Sequence, residues 1–213
     1  PDPAALWSDA ERLFAERRLD EAEPAYRALV DVPSHAALAY VRLSMIGALR
    51  GRCREEVDAA IAAFQARLPS PQILQIVAGR AQAAGETRAM LACATDPVVL
   101  ESGDARIYAD LGRILTTAHF PVEALELLER ARTGGFLAPT LRYLIGLCRS
   151  FLGQDEVAAR EFEDTLVRAP NHAPTLNALT RLRLPAGGEA RIERLRTAVA
   201  DPAIEPAHLP MLH

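Results

Sequence analysis

The residue types able to do chemistry are few in this sequence and stand far apart. His119 lies between two apolar runs, in LGRILTTAHFPVEALELLERA (residues 111–131), beside Phe120 and Pro121. An imidazole there could serve as a base or a metal ligand. A metal site would need further His, Cys or carboxylate groups at ligand spacing, and none accompanies it. The other reading is that His119 only occupies a turn. His208 and His213 are five residues apart, a poor spacing for one helix face. His35 and His172 stand near Pro33 and Pro170, where they read as polar residues preceding a helix.

The three cysteines, Cys53, Cys93 and Cys148, are odd in number and widely spaced, and no CxxC occurs. They read as small buried apolar side chains in a reducing compartment rather than as a redox or zinc pair. No apolar run is long enough to span a membrane, and no signal peptide opens the chain, so a cytoplasmic location is expected. All 24 basic residues are arginine. That excludes a phosphate-loop lysine and a Schiff-base lysine. No GxSxG, GxGxxG or HExxH is present. The basic turn Arg50, Arg52, Arg54 could touch nucleic acid, but a net charge of −4 and the lack of interleaved aromatics weigh against it. The chain is therefore expected to be no enzyme, with no cofactor, no metal, no nucleic acid and no membrane partner.

The elements around these residues are more legible than the residues themselves. Aromatics make up 5% of a chain that is 50% hydrophobic, and Ala and Leu, which enter helices at least cost, are abundant. Stepping by 34 residues from Gly112 gives the column Ala10, Ser44, Ala78, Gly112, Gly146, Thr180, small at every site. A later column reads Arg17, Gly51, Gly85, His119, Gly153, Gly187. Between these marks, apolar residues recur at spacings of three and four, as amphipathic helices require. Second helices follow each turn, as in VEALELLERA and DEVAAREFEDTL. In the second copy the apolar positions are expected to slip by one, to Val57, Ile61 and Phe64; the third, ETRAMLACATDP, is expected to have a short second helix. His119 stands in the glycine column, so it should close its helix with positive φ, which histidine tolerates better than most residues. The acidic ELLER and EFED stretches are expected to be solvated faces of second helices.

A 34-residue helix–turn–helix unit with a small residue, a turn glycine, an alanine and an aromatic in this order resembles the tetratricopeptide repeat (TPR). The clearest copies are YADLGRILTTAHFPVEALELLERA and YLIGLCRSFLGQDEVAAREFEDTLVRAP. The resemblance implies an all-α, right-handed superhelical solenoid of antiparallel helix pairs, one domain over 1–213. Its repeats would lie at about 3–36, 37–70, 71–104, 105–138, 139–172 and 173–206, with a further helix beginning at 207–213. It implies a protein–protein interaction scaffold whose first helices line a concave groove for a peptide or partner domain. Positions turned to that face are Trp7 and Glu11, then Gln72, Gln75, Arg106 and Arg113, then Thr140, Tyr143, Asn177 and Arg181. The Lys/Asn/Arg carboxylate clamp of some family members is not reproduced, because lysine is absent and asparagine occurs only at Asn171 and Asn177.

Two further expectations concern the end of the chain. Helix-like apolar spacing at Ile192, Leu195 and Val199 is followed by AHLPMLH, which leaves Leu209, Met211 and Leu212 open where a solenoid needs a polar cap. The sequence then reads as a piece of a longer protein, or as a module that self-associates through this end. The segment APTLNALTRLR…IERLRTAVADPAIEPAHLPMLH is similar to the stretch leading out of the repeats in TPR-containing bacterial sulfotransferase-family proteins. That resemblance implies a non-catalytic arm of a larger enzyme.

Overall fold

The structure, a computed structural model, describes residues 2–183 together with Glu189, Ile192, Glu193, Arg196 and Thr197. Among these residues there are twelve α-helices and no strand. The expectations placed on Gly187, Leu195, Val199, His208, His213 and the Leu209–Leu212 end lie outside the described residues. The helices fall into two compact units, Pro1–Gly103 and Asp104–His213.

The first unit holds α1 (Pro3–Ala15), α2 (Leu19–Leu29), α3 (Pro33–Leu49), α4 (Cys53–Gln65), α5 (Pro71–Ala83), α6 (Thr87–Ala94) and the single turn α7 (Pro97–Leu100). The second holds α8 (Ala105–Thr117), α9 (Pro121–Thr133), α10 (Pro139–Phe151), α11 (Asp155–Arg168) and α12 (Ala173–Thr180). Proline opens six of these helices at their first position, where its missing N–H costs nothing. The second helix of the third copy is short, eight residues, as its sequence suggests. The turn α7 behind it, capped by the Asp96 carboxylate accepting from the Val98 N–H, was not foreseen.

One turn geometry recurs at the 34-residue step. Arg17, Gly51, Gly85, His119 and Gly153 all have positive φ, between 61° and 79°. In each case the next residue donates its N–H to a carbonyl five residues back, for example Phe120 to Leu115 at 2.9 Å and Gln154 to Arg149 at 2.9 Å. This is the left-handed Schellman closure of a helix. His119 therefore terminates α8, with φ 63°, as its column requires.

The second column with a fixed role is that of the small residues. Ala10, Ser44, Ala78, Gly112 and Gly146 are buried in the first helices. Tyr26, Ala60, Ala94, Leu128 and Phe162, again 34 apart, are fully buried in the second helices. A Cβ on Gly112 would sit 2.6 Å from Leu128 Cδ2, and one on Gly146 would sit 2.4 Å from Phe162 Cε1. Glycine on one helix thus makes room for the larger side chain of its partner. In the second copy the expected slip does not occur. Val57, Ile61 and Phe64 are only half-buried, and the frame is kept by Ala60 and Ala63, which are fully buried. Glu56 stands in the alanine column there. Its backbone lies against Gly47, and its carbonyl accepts from the Ser44 hydroxyl at 2.7 Å. Small residues on both helices replace the usual small-over-large pairing.

Candidate functional site

Within the second unit, α10 and α12 enclose a groove of about 450 Å³. Three of the residues expected at the concave face meet in it: Tyr143, Asn177 and Arg181. Helical periodicity explains the meeting. Tyr143 and Asn177 share one 34-residue column on successive first helices, and Leu147 and Arg181 share the column a turn further on. The sequence reading missed the apolar part of the lining, namely Leu147, Phe151, Pro174 and Ala178, with Ser150 beside them. The same column arithmetic would have found Leu147 and Pro174, in the columns of Arg113 and Thr140. Phe151 gave a weaker signal, because it is the last residue of its helix yet remains 51% exposed.

Two histidines brace the aromatic rings of this groove. His119 meets the Phe151 ring edge-on at 5.7 Å, and His172 meets Tyr143 edge-on at 5.2 Å. His172 precedes α12 as expected, with Nδ1 2.6 Å from the Thr175 hydroxyl. Burial pushes the Tyr143 phenol above its ordinary pKa, with the nearby Arg181 charge opposing, so the groove presents a neutral hydroxyl.

The remaining candidates are distributed otherwise. Arg106 and Arg113 lie on the exposed stripe of α8, in the columns of Thr140 and Leu147, outside the lining of the groove. Thr140 is exposed at the start of α10. Gln72 and Gln75 belong to α5 in the first unit; the Gln72 amide oxygen accepts from Ser70 at 3.0 Å, and Gln75 is half-buried. Trp7 and Glu11 do not form an open surface. Trp7 packs against Tyr26 at 5.6 Å and against His35 at 5.9 Å. His35 lies inside α3 rather than before it, because α3 starts four residues ahead of the repeat frame. Glu11 accepts from Nε and Nη2 of Arg42, each at 2.7 Å, and from the Tyr26 hydroxyl at 2.6 Å.

Arg50 and Arg52 of the basic turn are likewise taken up internally, whereas Arg54 is exposed. Glu23, almost fully buried, accepts from Arg27 at 2.6 Å, Arg50 at 2.7 Å and Arg52 at 2.8 Å. Arg50 also holds Asp20, and Arg52 holds Glu55 at 2.7 Å. The acidic stretches are more than solvated faces. Half-buried Glu129 and Glu161 tie second helices to their neighbours through Arg132, Arg142 and Arg149. Of the cysteines, Cys93 and Cys148 are buried, but Cys53 is exposed at the first position of α4. No group of three or more His, Cys, Asp or Glu able to hold a metal occurs among the described residues, and no described helix is long and apolar enough to cross a membrane.

No protein-family model matches the sequence, and no curated protein matches it. Solved structures do. A tetratricopeptide repeat protein from Parabacteroides merdae superposes with a TM-score of 0.71 at 15% identity, over 99% of this chain and 83% of that one. YrrB, described as a TPR protein with an unusual peptide-binding site, gives 0.61 at 18% identity, over 79% and 87%. MamA gives 0.59 at 16% identity, over 78% and 92%. These likenesses establish the fold, an all-α TPR-like solenoid of antiparallel helix pairs.

Proposed function

We propose that the chain is a protein–protein interaction scaffold that holds a peptide or partner segment against the first helices of its second unit. The observation that carries this is the groove between α10 and α12, where two aromatic rings, an aliphatic side chain, an amide and a guanidinium converge. Apolar anchoring with a few polar groups fixing orientation is the composition of a recognition site. The fold shared with YrrB, itself described as carrying a peptide-binding site, supports the same reading.

The test is selection of peptides from a displayed random library on the wild-type protein. Selected peptides are then titrated against a Tyr143→Ala, Asn177→Ala, Arg181→Ala variant whose helicity is checked by circular dichroism. Loss of binding supports the groove. Unchanged binding overturns it, and a Gln72→Ala, Gln75→Ala variant then shows whether the first unit is responsible.

A further inference from the structure

Resting on that groove, we infer that its occupant is an extended acidic segment, with carboxylates on either side of an apolar side chain. The argument begins with how charge is sorted in the second unit. Its first helices, with Arg181 directly after α12, carry Arg106, Arg113, Arg142, Arg149 and Arg181 against one carboxylate, Asp110. The second helices α9 and α11 carry four arginines against eight carboxylates. In a chain of net charge −4, the helices that line the groove are the basic ones.

Not all of that charge is spoken for. Arg142 pairs with Glu161 and Asp164, and Arg149 with Glu129, so both serve packing between helices. Arg106, Arg113 and Arg181 are exposed and in no ion pair with a described residue. The first unit differs on this point. Arg12, Arg42 and Arg80 on its first helices each hold a carboxylate, of Asp9 and Glu16, Glu11 and Glu56 respectively. Three uncompensated guanidinia on one face attract anions at long range and offer the forked donor geometry that carboxylates fit.

The positions also set a spacing. Arg113 on α8, Leu147 on α10 and Arg181 at the end of α12 occupy one column. Packed helices lie about 8–10 Å apart, and an extended chain in the polyproline II conformation advances about 3.1 Å per residue and turns once in about three residues. A segment of that conformation crossing the first helices therefore passes one helix about every three residues. With that three-residue period, carboxylates about six residues apart would meet Arg113 and Arg181, and the side chain midway, turned to the same side, would meet Leu147 and Phe151. That apolar midpoint favours a peptide over nucleic acid.

The probe is a dye-labelled serine peptide with a central leucine and a glutamate about three residues to either side, followed by fluorescence anisotropy. Glutamine and lysine versions serve as controls, and a groove-filled Ala178→Trp variant is checked for helicity. The glutamate peptide should bind, weaken with salt, and lose about tenfold in affinity for each of Arg113→Ala and Arg181→Ala. No binding, or equal binding of the glutamine peptide, overturns the acidic occupant; sensitivity of the glutamine peptide to groove filling would leave the scaffold reading standing. Glutamate-peptide binding that survives groove filling overturns the groove itself. Displacement by an equally charged single-stranded oligonucleotide overturns the peptide in favour of nucleic acid.

Discussion

Phe162 lies where a side chain on Gly146 would have to be: a Cβ there would come within 2.4 Å of Cε1 and 2.7 Å of Cδ1 of the ring. The ring is fully buried and cannot swing into solvent, so the approach of α10 to α11 depends on a missing methyl group. Gly146→Ala should destabilise by up to about 2 kcal/mol, an overpacking cost of about 1–3 kcal/mol less the roughly 1 kcal/mol gained in helix propensity. At Gly112 the obstructing atoms are the end of a leucine, Leu128 Cγ and Cδ2, which shifts more easily than a ring. Gly112→Ala should therefore cost less. Urea unfolding of the two variants checks the order; equal costs would mean that the ring is not the obstacle.

The turn column makes a second prediction. Arg17 and His119 pay for positive φ, where glycine does not, so Arg17→Gly should stabilise by about 1 kcal/mol. His119→Gly should gain less, since it also loses the edge contact with Phe151, worth roughly 0.5 kcal/mol or more. Gly153→Ala, at φ 73°, should lose about 1 kcal/mol. Thermal melts of the three variants should rank in that order. A large loss for His119→Gly would show that the imidazole supports the groove through Phe151 more strongly than a ring contact does.

Repetition made the fold legible. One residue of ambiguous chemistry, His119, was placed in a turn by five other members of its column, and the structure gives it the φ of its neighbours in that column. The second copy misled because Val57, Ile61 and Phe64 are more apolar than Ala60 and Ala63, yet the alanines are buried. Hydropathy measures transfer to oil, whereas burial here follows which positions face the neighbouring helix. The groove was half-legible for a related reason. Its polar residues, Tyr143, Asn177 and Arg181, stand out along the first helices, whereas Leu147, Phe151 and Pro174 look in sequence like any other residues of a helical repeat. Glu11 and the basic turn could not be assigned from sequence, since their partners, Arg42 and Glu23, lie about thirty residues away.

Thiol chemistry offers a third prediction. Cys53 is exposed, while Cys93 and Cys148 are buried and their thiols are held protonated by burial, Cys93 with a pKa pushed up to about 11. The thiolate is the reactive form, so both burial and protonation protect these two. Titration of the native protein with a chromogenic disulfide reagent at pH 8 should give one fast equivalent, and unfolded protein should give all three. A Cys53→Ser variant should abolish the fast phase; a persistent fast phase would place Cys93 or Cys148 nearer to solvent than the fold allows.

Acid should weaken the first unit through Glu11. Hydrogen bonds from Nε and Nη2 of Arg42 hold the Glu11 carboxyl below its ordinary pKa, burial opposes them, and the Tyr26 hydroxyl adds to the lowering. A carboxylate whose folded pKa is depressed contributes stability above its unfolded pKa, about 4.3, and loses it as pH falls through the folded value. Glu11→Gln removes the charge at every pH and keeps an acceptor for Tyr26. Its urea midpoint should therefore lie below that of the wild type at pH 7. As pH falls below about 4 the wild type should lose this advantage and the gap should close. Tyr26 does not confuse the result, because burial and the neighbouring carboxylate raise its pKa and keep the phenol protonated over this range. A gap that stayed constant down to pH 2 would mean that the variant acts through packing around Tyr26 and not through the ion pair with Arg42.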